Sequence, residues 1–297
     1  MSTNTSEQTE KQRIAVVKFG GSFATDPETG VIKQDYFEDF FRTFASVLLE
    51  HYAKIGLIIG GGPRVRRDQR AAGDISSGAK DRLAKHMMLE NAEVLRQLAG
   101  SHGLKVASAV PNSPARAAAL ARDHTHDVIS ASWLKEGQSS DTSAVLLLQL
   151  FAQELARTTD PKDIELLAMI LSNVLFICTA DPKLDKNARP ISFATFPALI
   201  ERGVLSKNTD DFRPGMSVPI DPVAVHDLLE LEEAGHVPVV YYTDGQQTNF
   251  PSINSILKGE PFDENNPRNG TRIRGGVPDH SIIFYKDPAN PRQEPAR

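Results

Sequence analysis

Cysteine and tryptophan are nearly missing from this 297-residue chain, with one of each, Cys178 and Trp133. A single cysteine excludes an internal disulfide and any multi-cysteine metal site, and it suits a reducing compartment. No apolar run approaches the ~20 residues that span a bilayer. The opening MSTNTSEQTEKQR is polar, without the apolar stretch of a signal peptide. A cytoplasmic location with no membrane partner is the expectation. An excess of basic charge is also lacking: 33 Lys and Arg stand against 38 Asp and Glu, for a net charge of −5. That argues against a nucleic-acid surface, which needs clustered positive charge. The eight histidines are scattered, and His124 and His126 form the one close pair, which reads most simply as a surface loop.

What is present suffices for a sizeable core. Hydrophobic residues make up 40% of the chain and charged residues 24%, the proportions of a soluble globular protein. The length fits one large α/β domain or two small ones. Short β-rich runs, IAVVKF, KIGLIIGGG, LKVASAV, HDVISAS, NVLFICT and HVPVVYYT, alternate with segments of helical periodicity. The helical segments are QDYFEDFFRTFASVLLEHYA, SSGAKDRLAKHMMLENAEVLRQLAGSHG, SSDTSAVLLLQLFAQELAR and DPVAVHDLLELEEAG. Strands separated by helices imply a mostly parallel sheet covered on both faces. Residues 1–12 and 287–297 are polar or proline-rich and are expected to be disordered tails. Residues 13–286 are expected to form a single domain.

Two of the strands run into glycine turns, Gly20–Gly21 and Gly60–Gly61–Gly62. Glycine lets backbone N–H groups approach an anion, and a following helix start adds partial positive charge. Such a turn is also an ordinary way to leave a strand. Here Lys18 precedes one turn, and Arg64, Arg66 and Arg67 follow the other. Cations beside backbone nests are what polyphosphate chemistry requires. Neither turn has the G-x-x-x-x-G-K-[ST] or the G-x-G-x-x-G spacing. Spacing alone therefore supports a phosphate-binding α/β protein and no more.

The segments KFGGS, IIGGGPRVRR, DRLAKHMMLEN, VPNSPARAAALARDHTHDVISASWLKEGQSSDTSAVLL, TADPKLDKNARPI, PGMSVPIDPVAV and ILKGE follow one another in this order over roughly residues 13–275. In that order the chain resembles the amino acid kinase family, and within it the uridylate (UMP) kinases of bacterial and archaeal type. The resemblance implies a three-layer α/β/α fold with a sheet of about eight strands. The acceptor-binding half would be about residues 13–145 and the nucleotide-binding half about 146–286. It implies ATP with Mg²⁺ held mainly by the nucleotide phosphates, no protein-bound metal, a nucleoside monophosphate as acceptor, and a homo-oligomer, a hexamer in the family.

Residue by residue, Lys18 matches the lysine that contacts the phosphoryl group in flight, and Asp141 joins it as a catalytic candidate. Gly20, Gly21, Gly60, Gly61 and Gly62 match the phosphate cradles, and Arg66 matches an arginine on the acceptor's own phosphate. Asp81 and Asn91 match the pair that faces the nucleoside. Ten residues apart on a helix, they sit about 80° short of three full turns and can border one cleft. Ser139 and Ser140 match residues lining the acceptor site, although Asp141 at that helix start equally fits a plain N-cap. Asp181 and Lys183 match the loop around the ATP ribose and adenine. Asp221 matches an acid at the head of a late helix, where capping serves as well.

The pattern breaks in two places. The family usually reads V-D-G-[VI]-[YF] before TADP, whereas this chain has Leu175, Phe176 and Cys178 in place of the acid, the glycine and the aromatic residue. Trp133, where the kinases commonly have glycine, either narrows the acceptor pocket, offers a stacking surface, or packs in the core. The expected activity is transfer of the γ-phosphoryl group of ATP to a nucleoside monophosphate, UMP to UDP most simply. The alternative is a non-catalytic or storage protein on the same fold, holding nucleotide or oxyanions as molybdenum storage proteins do.

Overall fold

The computed structural model describes residues 12–73, 76–135, 138–213, 216, 218–266, 268–276 and 280–286, with the side chains of 77, 78, 80, 81, 83 and 84 left out. The two expected tails lie outside the described residues, apart from Gln12, which opens the first strand. No helix among the described residues is long and apolar enough to cross a membrane.

Among the described residues nine strands form one sheet: β1 (Gln12–Phe19), β2 (Lys54–Ile59), β3 (Val128–Ala131), β4 (Ile164–Ser172), β5 (Ile177–Cys178), β6 (Pro190–Thr195), β7 (Pro238–Asp244), β8 (Thr271–Arg274) and β9 (Ile282–Phe284). Their order is β3-β2-β1-β4-β7-β8-β6-β5, with β9 against β6. The five strands from β3 to β7 are parallel, and β8 then runs antiparallel to β7. Successive strands step away from β1 on one side, and the chain crosses over to place β4 on the other. The crevice beyond the carboxyl ends of β1 and β4 is therefore a topological switch point, the usual ligand position in such sheets.

Among the described residues nine α-helices cover the sheet: α1 (Gly21–Ala24), α2 (Gln34–His51), α3 (Gly62–Ala71), α4 (Ser77–Ser101), α5 (Pro114–Ala121), α6 (Ser140–Leu155), α7 (Phe196–Glu201), α8 (Pro222–Glu233) and α9 (Phe250–Lys258). The strand period of two sorts β1 between them. Ile14 and Val16 pack with Leu147, Phe151, Leu228 and their neighbours on α5, α6, α7 and α8. Ala15, Val17 and Phe19 pack with Phe37, Phe40, Leu95 and Leu257 on α2, α4 and α9. Phe19 sits edge-on to both Phe37 and Phe40, with centroids 4.9 Å apart, the preferred geometry for aromatic pairs. This is the expected three-layer α/β/α architecture, with helices on both faces of a mostly parallel sheet.

The strand expectations need correction: β4, β6, β8 and β9 were not among the expected runs, and two expected runs form less strand than expected. LKVASAV makes a single bridge, Val106 to Val128, and no strand. NVLFICT yields only the two residues of β5 after a run of bends. The central strand β4, IELLAMILS, was not expected at all. Its Leu, Ala and Met read as readily as helix, and periodicity does not separate a fully buried strand from a helix segment.

Candidate functional site

The strand alternation that builds the core also aims Lys18. It has the parity of Ile14 and Val16, so its side chain leaves the sheet on the face covered by α6. There its Nζ meets Asp141 Oδ1 at 2.7 Å, with side chains only 15% and 11% exposed. A largely buried ammonium needs such a partner. Asp141 is free to serve because it is not the N-cap of α6. Ser139 takes that place, accepting from the N–H groups of Asp141 and Thr142 at 2.9 and 3.3 Å. Asp141 lies in the first turn, where the helix dipole favours negative charge.

Asp221 joins this centre from α8. It caps that helix, accepting from the N–H groups of Val223 at 2.8 Å and Ala224 at 3.0 Å. It also accepts the hydroxyl protons of Ser139 and Thr142. Burial and then the nearby charge of Asp141 raise its pKa. One cation thus stands beside two acids, and Ser139, expected to line the acceptor site, has its hydroxyl engaged in joining two helix starts.

The glycine turns press against each other. A Cβ on Gly21 would lie 2.2 Å from Gly62 N and 2.5 Å from Gly60 O, and one on Gly62 would lie 2.2 Å from Thr25 Oγ1. Gly62 also has φ +75°, which side chains rarely adopt. On Gly20 a Cβ would stand 2.8 Å from Leu171 O, and on Gly61 it would press against Val65 at 3.0 Å. Ser140 Oγ lies beside Gly60. The two turns thus form one glycine surface, and the N-terminus of α3 that opens from it has no side-chain cap. Helix N–H groups left without a side-chain cap beside such a surface suit an anion, although Pro63 contributes none.

Of the four arginines of α3, Arg64, Arg66 and Arg67 divide their work. Arg64 pairs with Asp68 at 2.8 Å and donates to Glu28 O at 3.0 Å. Arg67 also donates to Glu28 O, at 3.1 Å, so both tie down the turn after α1. Arg66 is half-buried and has no hydrogen-bond or acidic partner among the described residues. Burial, and next the charge of Arg70, lower its pKa. A desolvated guanidinium without its own anion is ready for one from outside.

Asn91 is 3% exposed. Its Oδ1 accepts from Ile32 N at 3.1 Å and its Nδ2 donates to Gly30 O at 2.8 Å. Its amide thus holds a backbone turn, with both of its polar atoms engaged. The side chain of Asp81 lies outside the described residues. Asp181 and Lys183 are exposed, and Asp181 Oδ1 accepts from Lys183 N at 2.9 Å, closing its own turn.

At the first break in the pattern, Phe176 stacks on Tyr285 with centroids 5.0 Å apart, and burial raises the pKa of the Cys178 thiol. Trp133 is 8% exposed, its ring lies 4.3 Å under Lys85 Nζ, and its indole N–H has no partner among the described residues. His126 is buried rather than in a surface loop, while His124 is exposed beside Glu154. Among the described residues the one group of potential metal ligands is His226, Asp227 and Glu230, on α8.

Sequence reasoning missed Tyr242 and Ser172. Tyr242 shares the core face of Lys18 and donates to Ser172 Oγ at 3.0 Å. Burial raises its pKa, and the charge of Lys18 opposes that. Only the pairing of β4 with β1 and β7 brings them together; the available signal was polar residues ending two apolar runs.

A parallel sheet with a paired lysine, an uncapped helix start and a glycine surface at its switch point is an α/β arrangement suited to an anion. Residues 13–155, just under half of the chain, match the model of the amino acid kinase family. Three solved uridylate (UMP) kinases share the fold. The enzyme from Archaeoglobus fulgidus is 21% identical with a TM-score of 0.60, covering 87% of this chain and 99% of its own. That from Bacillus anthracis is 16% identical with a TM-score of 0.61, covering 92% and 98%. That from Ureaplasma parvum is 14% identical with a TM-score of 0.59, covering 89% and 98%. No curated protein is a significant match by sequence.

Proposed function

We propose that this chain is a phosphotransferase of the amino acid kinase family, moving the γ-phosphoryl group of ATP to the phosphate of a nucleoside monophosphate, with UMP the simplest acceptor. The observation that carries this reading is the Lys18–Asp141 pair at 2.7 Å, set at the switch point beside the glycine surface. An acceptor phosphate oxygen attacks the γ-phosphorus and ADP leaves, so the protein's work is positioning and charge neutralisation. Asp141 holds the Lys18 ammonium in place, and Lys18 can turn its remaining donors to the phosphoryl oxygens. Arg66 anchors the acceptor's phosphate through two parallel N–H bonds.

The donor's phosphates fit the residues present, because the glycine surface admits backbone approach that a Cβ would block. Mg²⁺, carried by those phosphates, supplies charge neutralisation between them. The base end has fewer free acceptors, since Asp181 is spent on its own turn, and recognition of the donor falls mainly on its phosphates. In keeping with the family resemblance, we propose that the chain works as a homo-oligomer.

ADP release measured with a panel of nucleoside monophosphates, beside Lys18→Ala, tests this reading. Turnover with at least one acceptor that disappears in the variant is expected. ATP binding without turnover for any acceptor would remove the kinase reading and leave a binding or storage protein, the reading that the missing acid at Leu175 favours.

A further inference from the structure

At the opposite end of the sheet from Lys18 lies a cleft of about 470 Å³. The parallel strands β1, β4 and β7 begin there, and β8 ends there. Arg13 lines it, and Arg13 and Lys18 lie five residues apart on β1, about 16 Å at ~3.3 Å per residue. The cleft therefore shares no wall with the phosphate site.

Its walls combine aromatic rings with arginines. Tyr52, Tyr241 and Phe262 line it, and Tyr241 and Phe262 pack together with centroids 5.6 Å apart. Arg13 is already committed: it lies 4.6 Å over Tyr52 and pairs with Glu165 at 3.2 Å. Lys162 is likewise paired, with Asp160 at 3.0 Å. Arg272 is different. Its guanidinium stands 5.8 Å from the ring centroids of both Tyr241 and Phe262, and its Nε is buried without a hydrogen-bond partner among the described residues. Two residues on, and so on the same face of β8, Arg274 is exposed to the cleft mouth with no acidic partner among the described residues. The lining thus carries four cations, two of them committed, against Glu165 and Glu260, on a chain whose net charge is −5.

A buried N–H left without an acceptor is costly, and two guanidiniums side by side repel unless an anion bridges them. Flat aromatic walls next to them suit a ring, and the volume is within the range of small-molecule sites. We propose that this cleft is a second ligand site, taking a small organic anion whose aromatic or heteroaromatic ring rests on Tyr241 and Phe262 and whose phosphate or carboxylate bridges Arg272 and Arg274. The site stands independently of the phosphotransferase reading, since binding there needs no turnover.

Titration of the full-length chain with 1-naphthyl phosphate, followed by probe fluorescence, tests this, with 1-naphthoate run in parallel to separate phosphate from carboxylate. Saturable binding of either probe is expected. Arg272→Ala should weaken it about tenfold or more, the scale of one lost charge-assisted bond. Arg274→Glu, at an exposed position that leaves the core untouched, should weaken it as much and covers the case in which Arg272→Ala fails to fold. Lys18→Ala and Arg66→Ala should leave it within about twofold, because neither borders the cleft. Absence of binding at millimolar probe overturns the proposal. So does binding that falls with Lys18→Ala or Arg66→Ala and survives Arg274→Glu, which would assign the probe to the phosphate site.

Discussion

Residues 13–155 and residues 156–286 share one sheet but hold their chemistry in different ways. In the first part the phosphate-facing elements are also structural necessities. Gly21, Gly60 and Gly62 are required because two backbone turns touch, with or without a ligand. Lys18 is aimed by the parity of a strand whose other residues are core. In the second part the elements proposed to face the base are exposed turns such as Asp181–Lys183 and the bends before β5, where a side chain can change without disturbing the sheet. This is also the part that the family model leaves unmatched. The contrast teaches that phosphate handling can be built into the fold, whereas recognition of a base rests on the surface.

The largest expected effect comes from Lys18→Ala. With the core face of β1 otherwise intact, kcat should fall by roughly 10³ while ATP still binds, the scale of losing a principal charge stabiliser in phosphoryl transfer. A fall of less than tenfold in single-turnover rates would break the contrast, because the first part would then not hold the chemistry. Arg66→Ala comes next: the acceptor KM should rise on the order of 10- to 100-fold, with the ATP KM nearly unchanged, as expected for loss of a bidentate contact. Equal effects on both substrates would take Arg66 away from the acceptor.

The second part can be sharpened by restoring what it lacks. Leu175→Asp combined with Phe176→Gly should lower the ATP KM by about threefold to tenfold, the net worth of one ordinary hydrogen bond. It should also cost about 1 kcal/mol of stability through loss of the Phe176–Tyr285 stack. An unchanged ATP KM would show that these positions do not face the donor.

The smallest effect concerns Asp227 on α8. Burial, and then the charge of Glu230, push its pKa up to about 6 from an ordinary value of 3.8. A raised carboxylate favours the protonated folded form, so its contribution is present below about pH 4 and is lost as pH rises through about 6. Asp227→Asn, which does not titrate, should therefore match the parent near pH 4 and gain about 2 °C in Tm by pH 8, a shift of the size about 1 kcal/mol gives at this chain length. A gain that is equal at both pH values would assign the effect to packing rather than to charge.

Local sequence, without any partner chain or ligand, determined the α/β class, the four long helices and the first two strands with their glycine turns, and it singled out Lys18 as the residue to test first. Each rests on periodicity, turn chemistry or a short motif, all readable within about twenty residues. Tertiary structure alone decided the rest. It placed β4, an apolar run that reads equally as helix, at the centre of the sheet between β1 and β7. That placement brought Ser172 and Tyr242 to the site, and it laid the start of β4 along the second cleft. Asn91 became a clamp on a backbone turn and Ser139 a joint between two helix starts, because their hydrogen-bond partners lie 59 and 82 residues away in sequence. Long-range pairing of this kind leaves no local pattern: the energy that fixes it comes from burial and hydrogen bonds made only when distant segments meet.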